Sequence, residues 1–386
     1  MNLLNSFSFE LPTRVEYGVG VAGTLLDTLR RMGAKKILVV TDKGIGRSGL
    51  LVSISMQLEQ GGLVWEIFDE TAPNPRDYNV RDGAKRANLL GADCLVAVGG
   101  GSPLDCAKAI AAVAPRGGAV RDYAGKDKIS GDVIPLIAIP TTAGTGSEVT
   151  FGAVITDTRE KYKFTIKHPR LAPRVALVDP KMTVTMPPAL TASTGMDALT
   201  HAIEGYTARV SEPLADAAAL YAIELIAKYL KKAVFEGQNL EARAGMLLGS
   251  ILAGIAFSHS DVGAAHCIAE ALGGQYDLAH GVCNAVVLPA VMEFNLPECK
   301  EKYARIATAM SIVYEKLDDG ARLAVEAVQK LAADVNLPAF SSLGVHAADF
   351  EALAKKSALN GSNPNNPRRM GAGDYLKLLK KLRTAG

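Results

Sequence analysis

Cys94-Leu95-Val96-Ala97-Val98-Gly99-Gly100-Gly101-Ser102-Pro103-Leu104-Asp105 is the stretch whose reading decides the fold. Five apolar residues without interruption make a strand covered on both faces, and glycines turn it into a helix over Leu104–Val113. Strand, tight turn and helix are the parts of a parallel α/β sheet, which binds ligands at the carboxyl ends of its strands. Glycines let the backbone approach an anion, and a helix N-terminus attracts phosphate through free N–H groups and its dipole. The run is not a GxGxxG fingerprint, so a plain tight turn stays open beside a phosphate-binding one.

The same alternation extends outward in both directions. Lys36–Thr41 is a β-rich run ending at Asp42, with a helical stretch near Leu50–Gln60, a strand at Leu63–Phe68 and a helix at Asp77–Leu90. On the far side, a strand at Pro135–Ile139 ends in Pro140-Thr141-Thr142-Ala143-Gly144-Thr145-Gly146-Ser147, a second loop of hydroxyls and glycines. Further β-like stretches are Gly152–Thr156 and Val175–Val178. Asp42 ends its strand where a carboxylate accepts hydrogen bonds from an adenosine ribose and repels a 2′-phosphate, which favours NAD(H) over NADP(H). A helix N-cap is the alternative role for Asp42.

After Pro187-Pro188 the character changes. Alanine and leucine at helical spacing dominate Ala192–Lys232, Leu240–Phe257 and Lys300–Ala333, and no strand pattern is present. The spacing predicts an α/β domain over 1–184 and an all-helical domain over 185–386, with the boundary near Pro180–Ala189. Asn360–Arg369, with Pro364 and Pro367, reads as a loop before a short terminal helix.

The helical half carries the second signal. Asp197 and His201, four residues apart in a helical segment, share one face and can reach one ion. His266 and His280 follow in a second cluster. One carboxylate and three imidazoles suit a divalent ion such as Fe(II) or Zn(II), with room for a substrate oxygen. Cys267 lies beside His266 but points about 100° away on a helix, so it reads as structural.

Composition excludes several classes. The 386 residues are 48% hydrophobic and 21% charged with a net charge of +2, so neither nucleic acid nor an anionic membrane is indicated. The longest apolar runs, such as Ile251–Phe257, fall short of the roughly 20 residues that span a bilayer. The N-terminus lacks a basic segment leading into an apolar core, so no secretory signal is expected. Five cysteines without CxxC spacing read as reduced thiols in a cytoplasmic protein.

These motifs together resemble the iron-containing (group III) alcohol dehydrogenase family. The matching pieces are Val39–Gly44, Asn74-Pro75, Gly99–Asp105, Pro140–Glu148, Asp179-Pro180, Thr194–Tyr206, Gly263–His280 and Asn366-Pro367-Arg368, in order over nearly the whole chain. The resemblance implies a Rossmann-like parallel-sheet domain followed by an all-α domain, the two-domain plan of dehydroquinate synthase, with the active site in the cleft between them. It implies hydride transfer between a nicotinamide and a small primary alcohol, diol or aldehyde, assisted by Fe(II) or Zn(II). By this resemblance Asp197, His201, His266 and His280 are metal ligands. Asp42, Asn74, Gly99, Gly100, Gly101, Ser102, Asp105, Thr141, Thr142, Thr145, Ser147 and Lys163 are cofactor-binding residues. For Lys163 an ordinary surface lysine is the alternative. Phe151 and Phe257 fall where the family lines its substrate pocket, with core filling as the alternative. A homodimer is also expected, and Phe7–Tyr17 alternates like a strand that could pair across its interface.

Two positions depart from the family pattern. Many members carry a histidine where this chain has Glu270, four residues after His266, so Glu270 is a candidate acid/base, fifth ligand or pocket carboxylate. His259 stands where an asparagine is expected and is either a proton carrier or a histidine bonded to backbone or solvent. Competing functions are a glycerol dehydrogenase-like zinc enzyme, a dehydroquinate synthase-like lyase and a catalytically inactive NAD-binding protein. The Asp197/His201 pair argues against the lyase, whose metal is typically held by a glutamate and two histidines. Net NADH turnover separates the dehydrogenases from the other two.

Overall fold

A computed structural model describes residues 6–384. The chain divides into two compact units, one of Leu11–Met186 and one running from Pro187 onward. Residues 6–10 group with the second unit. Their attachment is local: the Phe9 ring stacks on His259 at 4.2 Å, and the Glu10 backbone bonds its imidazole.

The first unit is a six-stranded parallel sheet with helices on both faces. Its strands are β1 (Arg14–Tyr17), β2 (Lys36–Val40), β3 (Val64–Phe68), β4 (Cys94–Gly99), β6 (Leu136–Pro140) and β9 (Val175–Val178), in the order β1-β9-β6-β4-β2-β3. A second sheet joins β5 (Gly125–Lys126), β8 (Tyr162–Lys167) and β7 (Gly152–Asp157). The uninterrupted apolar runs have the expected cause: alternate residues feed two separate cores. Leu38, Val40, Leu95, Ala97, Leu136 and Ala138 pack with α4 (Asp77–Leu90) and α5 (Gly101–Val113). Ile37, Val39, Val96, Val98, Ile137 and Ile139 pack with α1 (Leu25–Met32) and α3 (Leu51–Gln60) on the other face. Every residue of β4 is buried, so both sides of this strand exclude water.

Strand order reverses between β2 and β4: the chain moves outward from β2 to β3, then returns on the other side. Such a switch point opens a crevice beyond the carboxyl ends of the two strands. Asp42 follows β2 there, and Gly99 ends β4 with Gly100 as the N-cap of α5.

The second unit contains only helices among its described residues. Besides three short 3-10 turns they are α6 (Pro188–Thr207), α7 (Pro213–Phe235), α8 (Leu240–Ser260), α9 (Ala264–Tyr276), α10 (His280–Ala309), α11 (Leu317–Asp334), α12 (Phe350–Leu359) and α13 (Ala372–Thr384). By length and composition α8 could cross a membrane, which the short apolar runs of the sequence do not suggest, but 61% of its apolar window is buried inside the protein. The predicted helix over Lys300–Ala333 is two helices. Helix α10 begins at His280, passes Pro289 and Pro297 and ends at Ala309. Within the Phe7–Tyr17 stretch only Arg14–Tyr17 is a strand, and it pairs with β9 of its own sheet.

Candidate metal and cofactor sites

The metal candidates converge. One ligand atom from each of Asp197, His201, His266 and His280 lies within 4.8 Å of every other. Atoms bound to one ion at about 2.0–2.2 Å lie within about 4.4 Å of each other, so the cluster nearly has that spacing already. Helix α6 supplies Asp197 and His201 one turn apart, α9 supplies His266 in its first turn and α10 begins with His280. The approach of α10 to α6 depends on Gly281, where a Cβ would meet the Ser193 carbonyl oxygen at 2.7 Å and the Asp197 Cβ at 3.3 Å.

Asp197, His201 and His266 are buried and His280 is partly exposed. Asn284, one turn after His280, donates to Asp197 Oδ1 at 2.7 Å and lies 3.2 Å from His280 Nε2. Burial opposes charge on Asp197, but three imidazoles and the Asn284 amide outweigh it and hold the carboxyl below its ordinary range. His201 stacks on Phe257 at 4.3 Å, so Phe257 covers one imidazole of the cluster. His266 Nδ1 bonds Glu204 Oε2 at 2.6 Å, while its Nε2 is buried without a hydrogen-bond partner. A buried ring nitrogen left bare costs about 1–3 kcal/mol unless something accepts its lone pair. A divalent cation does so, and the donor set of one carboxylate and three imidazoles fits one.

Glu204 and Asn284 were not found by sequence reasoning. Their signal was positional: Glu204 lies three residues after His201 and seven after Asp197 on one helix face, and Asn284 lies four after His280.

The two candidate proton carriers are placed differently. Glu270 is one turn beyond His266 on α9, and its Oε2 accepts from Asn360 Nδ2 at 2.6 Å. The His259 ring contacts the Ile255 carbonyl at 2.8 Å through Nδ1 and the Glu10 carbonyl at 3.0 Å through Nε2. Both its nitrogens thus engage backbone, and it is not one of the clustered four.

In the first unit the two glycine-hydroxyl loops emerge side by side, because β4 pairs with β6 in a register that places Gly99 opposite Pro140. Thr141 N donates to the Gly99 carbonyl at 2.9 Å. A Cβ on Gly101 would lie 2.6 Å from Thr145 Cγ2, and one on Gly100 would lie 3.0 Å from Thr142, so the loops pack too closely for side chains there. Helix α5 starts at Gly101, three residues before the sequence suggested, and Ser102 stands in its first turn. Thr141 Oγ1 is buried without a partner.

Asp105 and Ser147 bond each other at 2.6 Å, and Asp105 also accepts from Val154 N at 2.9 Å. Beneath them Lys108, fully buried, donates to Ser147 Oγ at 2.9 Å, Thr150 Oγ1 at 3.0 Å and the Gly152 carbonyl at 2.9 Å. Burial pushes Lys108 down to about 8 and the neighbouring Glu148 up to about 7. Asp42 is the N-cap of the short helix α2 (Lys43–Arg47), its Oδ1 accepting from Ile45 N at 2.9 Å. Lys163 is buried rather than a surface lysine, and its Nζ donates to Asn74 Oδ1 at 2.7 Å. Asn74 itself adopts a positive φ of 53°. The Phe151 ring lies under Lys167 Nζ at 5.7 Å.

Comparison with known proteins adds a second line of support. A family profile described as iron-containing alcohol dehydrogenase matches residues 12–180, and one described as the C-terminal part of the Fe-containing alcohol dehydrogenase family matches residues 191–383. A 1,3-propanediol dehydrogenase of Citrobacter freundii is 41% identical over 380 residues, covering 97% of this chain and 98% of the relative. A lactaldehyde reductase of Escherichia coli (strain K12) is 40% identical over 367 residues, covering 94% and 96%. A crystal structure of 1,3-propanediol oxidoreductase matches with a TM-score of 0.95 at 39% identity, covering 98% of this chain and 100% of that one.

Proposed function

The chain belongs to the iron-containing alcohol dehydrogenase family, and from that premise we propose how its own residues serve a nicotinamide-linked oxidation of small alcohols and reduction of aldehydes. The observation that carries the proposal is the convergence of Asp197, His201, His266 and His280, with His266 Nε2 bare and buried. These four residues hold a divalent ion, Fe(II) or Zn(II). When bound, the ion supplies Lewis-acid polarisation of an alcohol or carbonyl oxygen. Asn284 fixes the Asp197 carboxylate, and Phe257 shields His201 from water on one side. The hydride is the cofactor's chemistry, and the protein contributes position and electrostatics.

For the cofactor, Gly99, Gly100, Gly101 and Ser102 offer backbone N–H groups to a diphosphate at the start of α5. Thr141, Thr142 and Thr145 line the facing loop, while Asp105 and Ser147 hold the two loops together. Lys163 and Asn74, already bonded to each other, are assigned to the cofactor's ribose and adenosine end. We read NAD(H) rather than NADP(H), because the Asp42 carboxylate stands beyond β2, where a 2′-phosphate would meet like charge. Of the two candidates for proton transfer, Glu270 is favoured over His259, whose ring is held by backbone groups at both nitrogens. Five free, buried cysteines support a cytoplasmic location. The homodimer reading rests on the resemblance alone.

The test is anaerobic reconstitution with Fe(II) and a panel of short aldehydes, with NADH absorbance followed against a chelator-treated control. Metal-dependent loss of NADH supports the proposal. No turnover with any aldehyde, despite bound metal and NADH, contradicts it.

A further inference from the structure

Glu204 is the most heavily bonded carboxylate near the metal cluster, and nothing in the reading above uses it. We infer that Glu204 is a positioning residue for the metal: it holds His266 in the tautomer whose Nε2 faces the other three ligands. The inference rests on the metal reading above.

Glu204 lies on α6 and is 5% exposed. Its oxygens accept from four N–H groups at the start of α9: Gly263 N at 3.0 Å, Ala265 N at 2.7 Å, His266 N at 3.4 Å and His266 Nδ1 at 2.6 Å. The first three are amides that a helix N-terminus leaves without partners, and a carboxylate there also meets the favourable end of the helix dipole. Capping alone does not account for the fourth and shortest bond, which goes to the ring. A carboxylate only accepts, so the ring must present a hydrogen at Nδ1, and a neutral imidazole protonated there carries its lone pair at Nε2. That is the atom found buried and without a partner. One side chain therefore fixes the helix that carries His266, the rotation of its ring and the nitrogen left to bind metal. Carboxylates that orient ligand histidines in this way typically change metal affinity by 10–100-fold when replaced.

Oε2 accepts from Gly263 N, His266 N and His266 Nδ1, and Oε1 accepts from Ala265 N. Glu204→Gln therefore keeps the Ala265 cap bond on its carbonyl when its NH2 group stands at the Oε2 position, at the cost of the two weaker cap bonds from Gly263 and His266. There the NH2 group presents hydrogens to Nδ1, which favours the Nε2–H tautomer and puts a hydrogen where the metal must bind. In competition with a chromophoric chelator, Glu204→Gln is expected to hold Zn(II) about 10–100-fold more weakly than wild type. The unfolding temperature of the zinc-free protein should fall by no more than about 10 °C, the cost of the two lost cap bonds. A folded variant with wild-type zinc affinity would overturn this inference alone. Wild-type protein that fails to bind Zn(II) would remove the metal reading together with it. A measurement on unmutated protein covers the case of a variant that does not fold: long-range nitrogen–proton NMR of the zinc-loaded wild type, labelled at histidine. The expected His266 signature is a protonated Nδ1 and a metal-bound Nε2. Binding through Nδ1 overturns the inference.

Discussion

The proposed cofactor loops and the proposed metal cluster are built by different routes. The loops are made largely of backbone: two adjacent strands end in register, glycines let the turns press together, and the N–H groups at the start of α5 belong to no particular side chain. The metal cluster is made of single atoms, brought together by three helices and held by Glu204 and Asn284. The backbone site should therefore lose function gradually under substitution and the side-chain site abruptly.

The largest effect tests the abrupt case. His266→Ala or His280→Ala should abolish metal-dependent turnover while far-UV circular dichroism shows a folded chain, since each removes one of only four proposed ligands. Near wild-type turnover in a metal-loaded variant would refute the ligand assignment. Next comes the exception inside the cofactor unit, where a buried side chain braces the loops. Lys108→Met strips three hydrogen bonds and removes the ammonium 3.9 Å from Asp105 Oδ1, so stability should fall by about 3–5 kcal/mol. KM for NADH should rise more than kcat falls, and an unchanged KM would show that Lys108 does not shape the cofactor loops. A smaller effect belongs to helix approach. Gly281→Ala pushes a methyl group against the Ser193 carbonyl, so zinc affinity should drop on the order of tenfold. The smallest is expected at Asp42→Gly, which should shift the NADH:NADPH preference by roughly tenfold, about 1.4 kcal/mol. An unchanged ratio would leave Asp42 as a helix cap only.

Much of the cofactor unit was legible because its signals are local. Cys94–Asp105 contains strand, turn and helix start in twelve consecutive letters, and Asp77–Leu90 is a helix with the bounds that its pattern suggested. Strand β8 was not found: its burial does not alternate, Lys163 and Phe164 both being buried, and its pairing with β7 is a tertiary choice. Helix α10 was hidden for a different reason. Pro289 and Pro297 each oppose a helix by about 3 kcal/mol, yet the helix continues because burial of Val287, Leu288, Val291, Met292, Ile306 and neighbouring side chains outweighs that cost. At the metal cluster the Asp197/His201 spacing was readable, since four residues make one helical turn. Spacing also puts Glu204 on the face of Asp197 and His201, but its role depends on the start of α9 meeting that face, which spacing cannot show. His259 shows the same limit: its environment comes from Phe9 and Glu10, about 250 positions away in the chain.

The measurement that tests the central claim most directly is iron content after anaerobic loading with Fe(II) and removal of free metal, compared between wild type and His266→Ala. The account predicts one iron per wild-type chain and almost none in the folded variant. Equal iron in both proteins would contradict it.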